Sequence, residues 1–227
     1  MNSPGLGEML LSLHSVDDVS WGRYAFSSDL LRNRIPLQQQ DEMTRKAIDC
    51  GEEWALRMIR QTGAADPDSM LKSLDLTLMV NDADMMDSPR QLFAQFVPDK
   101  GIEIMSQPIE IYSSMYHKEA GSIHGPLFPP PEQVRELLLA HELFHYVEEC
   151  HKKEIYSRTE TILLWKFFRI KWNSTIRSLS EIAAMSFAKA LTRSGYSPFV
   201  LDVMLLYGYN KALARSVFKR IMGNCNA

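Results

Sequence analysis

The sequence predicts an α+β fold: one domain with a small, mainly antiparallel sheet packed on a central helix, and a helical C-terminal part. Three observations predict it. Apolar residues recur at helical spacing in several segments, the longest being about 41–61 and 131–151. Short apolar runs at 76–80, 92–97 and 102–105, bounded by polar turns, lie between those two helices. The second helix carries His141-Glu142-Leu143-Phe144-His145, an HExxH motif, near its middle.

Taken in order, residues 1–40 mix Gly, Pro, Ser and a Gln38-Gln39-Gln40 run with weak periodicity. They read as an N-terminal arm, loosely structured or ordered only by packing on the rest, and the domain proper spans 41–227. Met43, Ala47, Cys50, Trp54 and Met58 mark one face of the first long helix. Asp66-Pro67-Asp68 starts a short helical turn. The run at 76–80 is short and β-like, so it reads as a strand. The runs at 92–97 and 102–105 flank a four-residue turn ending in Gly101, which predicts a hairpin. A helix is expected over 109–117. A Pro-rich loop follows over 125–131, and its last proline suits the first turn of the motif helix. Ser178 or Ser180 opens a helix running to about Arg193. Ser197-Pro198 opens another that Gly208 ends, and a last helix over 210–222 closes on Lys219-Arg220 before Gly223, as the helix dipole favours.

With 227 residues, 45% of them hydrophobic, the chain can bury one real core. A formal charge of -3 gives no global pull toward nucleic acid or anionic lipid. Three widely spaced cysteines without a CxxC pair (Cys50, Cys150, Cys225) fit a reducing compartment rather than a disulfide framework. The first residues lack the basic start of a signal peptide. The longest apolar stretch, 161–172, is broken by Lys166, Arg169 and Lys171 and is too short to span a bilayer. These features predict a cytoplasmic protein without a membrane span.

On a helix, residues four apart share a face, so His141 and His145 can bind one ion. Glu142 lies about 100° further round, close enough to take a proton from a water at that ion without being a ligand. This is the arrangement of zinc-dependent peptide hydrolysis, with Glu142 as general base. The uncharged flanks, Leu138-Leu139-Ala140 and Tyr146-Val147, set the motif inside a buried helix rather than on a random surface turn.

Two histidines leave one protein ligand to find, and three residues compete. His151 stands where a metzincin places its third histidine, but Glu148 replaces the glycine that would turn the chain there. Glu148 is on the metal face yet shares a helix with both histidines, which strains tetrahedral closure. Glu181 starts a later helix whose Ala183 and Ala184 permit close approach, although Ser178-Leu179-Ser180-Glu181 also reads as a capping box.

The AHELFH helix followed by SEIAAMSFAKAL resembles the ImmA/IrrE-type metallopeptidases, a zincin-like family. In these an HExxH helix is followed by an E-x-x-A-x-x-F-A helix, matched here by Glu181, Ala184, Phe187 and Ala188. The resemblance covers roughly 41–193. It implies a zincin-like fold, a Zn²⁺ ion held by His141, His145 and Glu181, and cleavage of a peptide or regulatory protein substrate. The chain departs from the family pattern at Phe144, often Gly, at Glu149, often a further His, and in the long stretch from His145 to Glu181.

Several other features carry expectations. The aromatic segment from Ile162 to Trp172 could form a partner or membrane-surface patch, but such density more often is core, and it is expected to fill the space between the two ligand helices. Tyr112, Tyr116, His117, His124 and Tyr156 are candidates to stabilise an oxyanion. The substrate is expected to lie extended along the strand at 102–105. The helices around Gly208, with Arg215, Lys219 and Arg220, bear a faint likeness to a DNA-binding helix-turn-helix, outweighed by ordinary packing. The second class of function is a non-catalytic zinc-containing module that binds protein or DNA. An intact Glu142 favours the hydrolase, because a purely structural site has no use for a base.

Overall fold

A computed structural model describes residues 4–82, 93–119, 128–168 and 170–225. Within them the chain forms one α+β domain. Two short helices come first, α1 (Leu6–His14) and α2 (Asp18–Ser27), then the long α3 (Leu37–Thr62) and α4 (Pro67–Ser73). Strand β1 (Leu78–Asn81) precedes the hairpin of β2 (Ala94–Val97) and β3 (Gly101–Met105). Helix α5 (Ser106–Glu119) leads to the motif helix α6 (Pro131–Cys150) and the single turn α7 (Tyr156–Thr159). A separate ribbon of β4 (Thr161–Phe167) and β5 (Ile170–Thr175) joins α7 to α8 (Arg177–Thr192), and α9 (Leu201–Tyr209) and α10 (Lys211–Asn224) finish the fold.

The N-terminal arm is ordered by packing, the second of the two expectations for it. Leu6, Met9, Leu10 and Leu13 form one stripe of α1 and are all buried. Asp17 caps α2 by accepting from Ser20 N, and Trp21 of α2 stacks on Phe199 at 5.5 Å between ring centroids. Arg23 donates twice to Asp41 at the start of α3, at 3.0 and 2.9 Å. The arm therefore belongs to the same core as residues 41–227.

The sheet is mixed rather than mainly antiparallel. Its order is β1-β3-β2, with β1 parallel and β2 antiparallel to β3. The hairpin turn uses Asp99 and Gly101 at positive φ, and a Cβ on Gly101 would stand 2.2 Å from Thr77 O, so only glycine fits there. Residue 92, at the start of the expected hairpin, lies outside the described residues.

Helix α6 runs through the middle of the molecule. Pro130 and Pro131 start it, as expected, and Val134, Leu137, Leu139, Ala140, Leu143, Phe144 and Val147 bury more than one of its faces. Helix α8 packs beside it, with Phe144 and Phe187 in contact at 5.6 Å. On its other side α8 meets α3 so closely that a Cβ on Gly51 would lie 2.3 Å from Ala183 O.

Those contacts already fill the space between the ligand helices, and the aromatic segment does not enter it. None of its described side chains is buried; beyond α7 the chain turns outward as the β4–β5 ribbon. The physical reason is the strand period of two: it sets Lys166 and Lys171 opposite each other on one face of the ribbon, and enclosing the ribbon between two helices would bury both charges without a partner. At the C-terminus, Ala214, Val217 and Ile221 are buried while Leu213 is exposed. Arg220 lies over the Tyr24 ring and Arg215 donates to Pro4 O, so both basic groups face the fold rather than a groove-reading surface. Among the described residues, no helix is long and apolar enough to cross a membrane, and all three cysteines are free.

Candidate metal centre

His141 and His145 lie one turn apart on α6, and their Nε2 atoms face each other at 3.0 Å. Glu181, the fifth residue of α8, brings Oε2 to 3.5 Å from His141 Nε2. One donor atom from each of the three residues falls within 4.8 Å of the others, and this is the group among the described residues able to hold a metal ion.

Why Glu181 points here follows from how α8 starts. The helix begins at Arg177, and Asp29 Oδ2 accepts from Ser178 N at 2.9 Å. The exposed N–H of the first turn is thus satisfied by the N-terminal arm, not by a capping box. Glu181 is released from that duty and its carboxylate turns to the histidines.

The other two candidates are engaged elsewhere. Glu148 is completely buried and accepts from Ser157 Oγ at 2.7 Å and Ser180 Oγ at 2.9 Å, with Arg158 Nη2 at 3.0 Å. Its Oε2 stands 3.6 Å from Nδ1 of His145, behind the ring. A carboxylate there orients the imidazole and leaves Nε2 for a ligand role. His151 ends α6, donating its N–H to Val147 O; its ring packs on Trp54 at 4.4 Å and its Nδ1 meets Glu154 at 2.6 Å. It does not reach the cluster.

The electrostatics match a cation site. Burial opposes charge on His141, but hydrogen bonding to Glu181 and the nearby Glu142 outweigh it and raise its pKa to about 9. Burial would raise Glu181, yet the same contact with His141 holds it down at about 2. Burial also opposes the Glu148 charge, and His145, Ser157 and Arg158 together pull its pKa below the ordinary value. Two imidazole nitrogens and a carboxylate converging in an acidic, partly buried setting are the donor set that zinc takes, with a fourth position left over. The residues present fit the ion. Because a proton on His141 competes with metal, affinity for Zn²⁺ is expected to fall as pH drops below 9, by about tenfold per unit. Competition titrations with a chromophoric chelator between pH 6 and 9 would measure the slope, and a flat profile would contradict it.

Glu142 is 8% exposed and its Oε2 accepts from Phe96 N at 2.7 Å. Phe96 belongs to β2; the carbonyl of Phe93, just before that strand, accepts from Met105 N of β3, and the carbonyl of Val97 accepts from Lys100 N in the hairpin turn. The pleat then turns the N–H and C=O of Ala94 and Phe96 to the outer edge, toward the cluster. The expected substrate strand is corrected here: β3 pairs on both sides and offers no edge, whereas among the described residues β2 keeps its outer edge unpaired.

Of the three cavities that Glu181 lines, two also reach a histidine of the cluster. One of about 180 Å³ is walled by Ala94, Leu137, Leu138, Met185, Leu201 and Leu205, with His141, Glu142 and Asp202 at its side. The other, about 540 Å³, is bordered by Phe96, Pro98, His145, Arg158, Thr175 and Arg177. The oxyanion candidates miss both. Tyr112 is buried and donates to Pro129 O, Tyr116 packs on Phe128 and His117, and Tyr156 lines neither cavity; His124 lies outside the described residues. Sequence reading also missed Asp202, which accepts from Tyr24 Oη at 2.8 Å and whose pKa burial raises to about 6. It carries no motif, and only the fold brings α2 and α9 to the site.

No family model, curated protein or solved structure matches the chain.

Proposed function

We propose that the chain is a zinc-dependent peptide hydrolase with a zincin-like site, as its likeness to the ImmA/IrrE-type metallopeptidases implies. The observation that carries this reading is the convergence of His141, His145 and Glu181 beside a fourth side chain, the carboxyl-bearing Glu142, at the outer edge of β2. His141, His145 and Glu181 would hold the ion. When bound, it supplies a Lewis acid that polarises a carbonyl and acidifies water.

The chain's own residues do the rest. The outward N–H and C=O groups of Ala94 and Phe96 pair with an extended peptide, which binds backbone with few demands on sequence. The apolar cavity beyond His141 accepts one aliphatic or aromatic side chain and so fixes the register. Glu142 takes the proton of the attacking water and returns it to the departing amine nitrogen as the C–N bond breaks. Glu148, held by Ser157, Ser180 and Arg158, keeps the His145 ring from rotating.

The test is cleavage of an unfolded protein, such as casein, by purified chain. Hydrolysis should require about one Zn²⁺ per chain, vanish with a chelator and return when zinc is restored. Zinc bound at full stoichiometry without cleavage of any peptide in a diverse library would favour the non-catalytic module instead.

A further inference from the structure

We propose that the β4–β5 ribbon is a docking device for an anionic lipid bilayer, independent of any hydrolysis at the metal centre. The ribbon leaves the body between two fully buried residues, Ile155 and Ile176. Arg34 Nη1 holds its base by donating to Leu164 O at 2.8 Å, where the register slips by one residue between Leu163 and Trp165. Beyond that bulge the described side chains of both faces are exposed, so the distal half projects from the protein.

What projects is unusual for a solvent-facing ribbon. Trp165 is 49% exposed, Trp172 58%, Phe167 62% and Phe168 83%. Trp165 and Trp172 pair directly across the strands and stack at 6.3 Å with 4° between planes; Phe167 and Phe168 meet edge to face at the tip. Phe168 sits at φ 52, a left-handed conformation that bulky residues rarely adopt. A tip built for water alone would place Asn or Gly there.

The charges point to the partner. Residues 161–175 contain three Lys or Arg and no Asp or Glu, within a chain of net charge -3. Lys166 stands directly opposite Lys171, both exposed and without an ion pair among the described residues. Like charges paired across strands repel, and the repulsion is relieved by an anionic surface against them.

The arrangement favours a bilayer over a protein. The Trp pair lies on one face of the ribbon and the Lys pair on the other, because neighbouring residues of a strand point to opposite sides. A protein surface would cover one face and leave the other in water. A bilayer surrounds the whole tip: Phe167 and Phe168 enter the acyl boundary, while tryptophan and lysine settle at headgroup level behind them.

The test uses the full chain with sucrose-loaded vesicles of equal parts phosphatidylglycerol and phosphatidylcholine. Co-sedimentation is expected with these and not with pure phosphatidylcholine. Tryptophan emission should shift to the blue on binding, and it reports the ribbon, because Trp21 and Trp54 are already buried. Lys166→Ala/Lys171→Ala should weaken binding roughly thirtyfold, and Phe167→Ser/Phe168→Ser should abolish the blue shift. All four positions are exposed, so circular dichroism and Tm should match the parent. Failure to sediment, binding retained in both double variants, or an equal emission shift with soluble glycerol phosphate would each overturn the proposal; the last would indicate a headgroup or protein-phosphate site rather than a bilayer.

Discussion

Glu142→Gln is expected to lower kcat for peptide hydrolysis by about a hundred- to ten-thousandfold while leaving zinc stoichiometry and Tm near the parent's. The amide keeps the shape of the carboxylate, and its oxygen can still accept from Phe96 N, so the local fold has no reason to change. What is lost is the ability to take up the proton of the attacking water. Initial rates on a quenched fluorescent peptide, with metal content measured on the same samples, separate this from metal loss. Undiminished turnover would place the base elsewhere. Equal loss of zinc would make Glu142 a ligand rather than a base.

Glu181→Gln is expected to weaken zinc binding roughly a thousandfold, the share of one ligand in a zinc site. The comparison with Glu148→Gln and His151→Ala is what gives the result meaning. Glu148 acts on His145 from behind, so its amide variant should lose about ten- to a hundredfold in affinity. It should also lose stability, because Arg158 would face a buried neutral group. His151 touches Trp54 and Glu154, not the cluster, and its loss should leave zinc affinity within about twofold. The Glu181 side chain is 37% exposed, and the Arg that pairs with it, Arg177, stands off at 4.0 Å, so its replacement should not unfold the protein. Parent-like affinity in Glu181→Gln with collapse in either of the other two would move the third ligand.

The His141-His145-Glu181 cluster was more legible in the sequence than the body that supports it. The four-residue spacing of His141 and His145 is local, and a helix converts it to geometry without help from the rest of the chain. Glu181 was legible through its small neighbours, though one of them, Ala183, turns out to face Gly51 of α3. The role of Glu148 was not, because its partners Ser157, Arg158 and Ser180 come from two later segments. The cap from Asp29 to Ser178 spans most of the chain and has no local signature. The parallel pairing of β1 with β3 is likewise non-local. In the arm, by contrast, the signal was present: Leu6, Met9, Leu10 and Leu13 keep helical spacing, and surrounding Gly, Pro and Ser concealed it. The ribbon was misread through composition, where the alternation of Lys166 and Lys171 with aromatics decides exposure.

The hydrogen bond from Phe96 N to Glu142 has a consequence for when the proposed base becomes free. A backbone N–H at a strand edge has a single proton to give. A peptide that adds itself to β2 must claim that proton with its own carbonyl, and Glu142 must then surrender it. On the proposed reading, arrival of an extended substrate and liberation of the carboxylate are one exchange. A small ester or amide that cannot pair with the strand would leave the base occupied. The enzyme would then be self-latching: slow toward compact bystanders, and unlocked by the backbone it cuts.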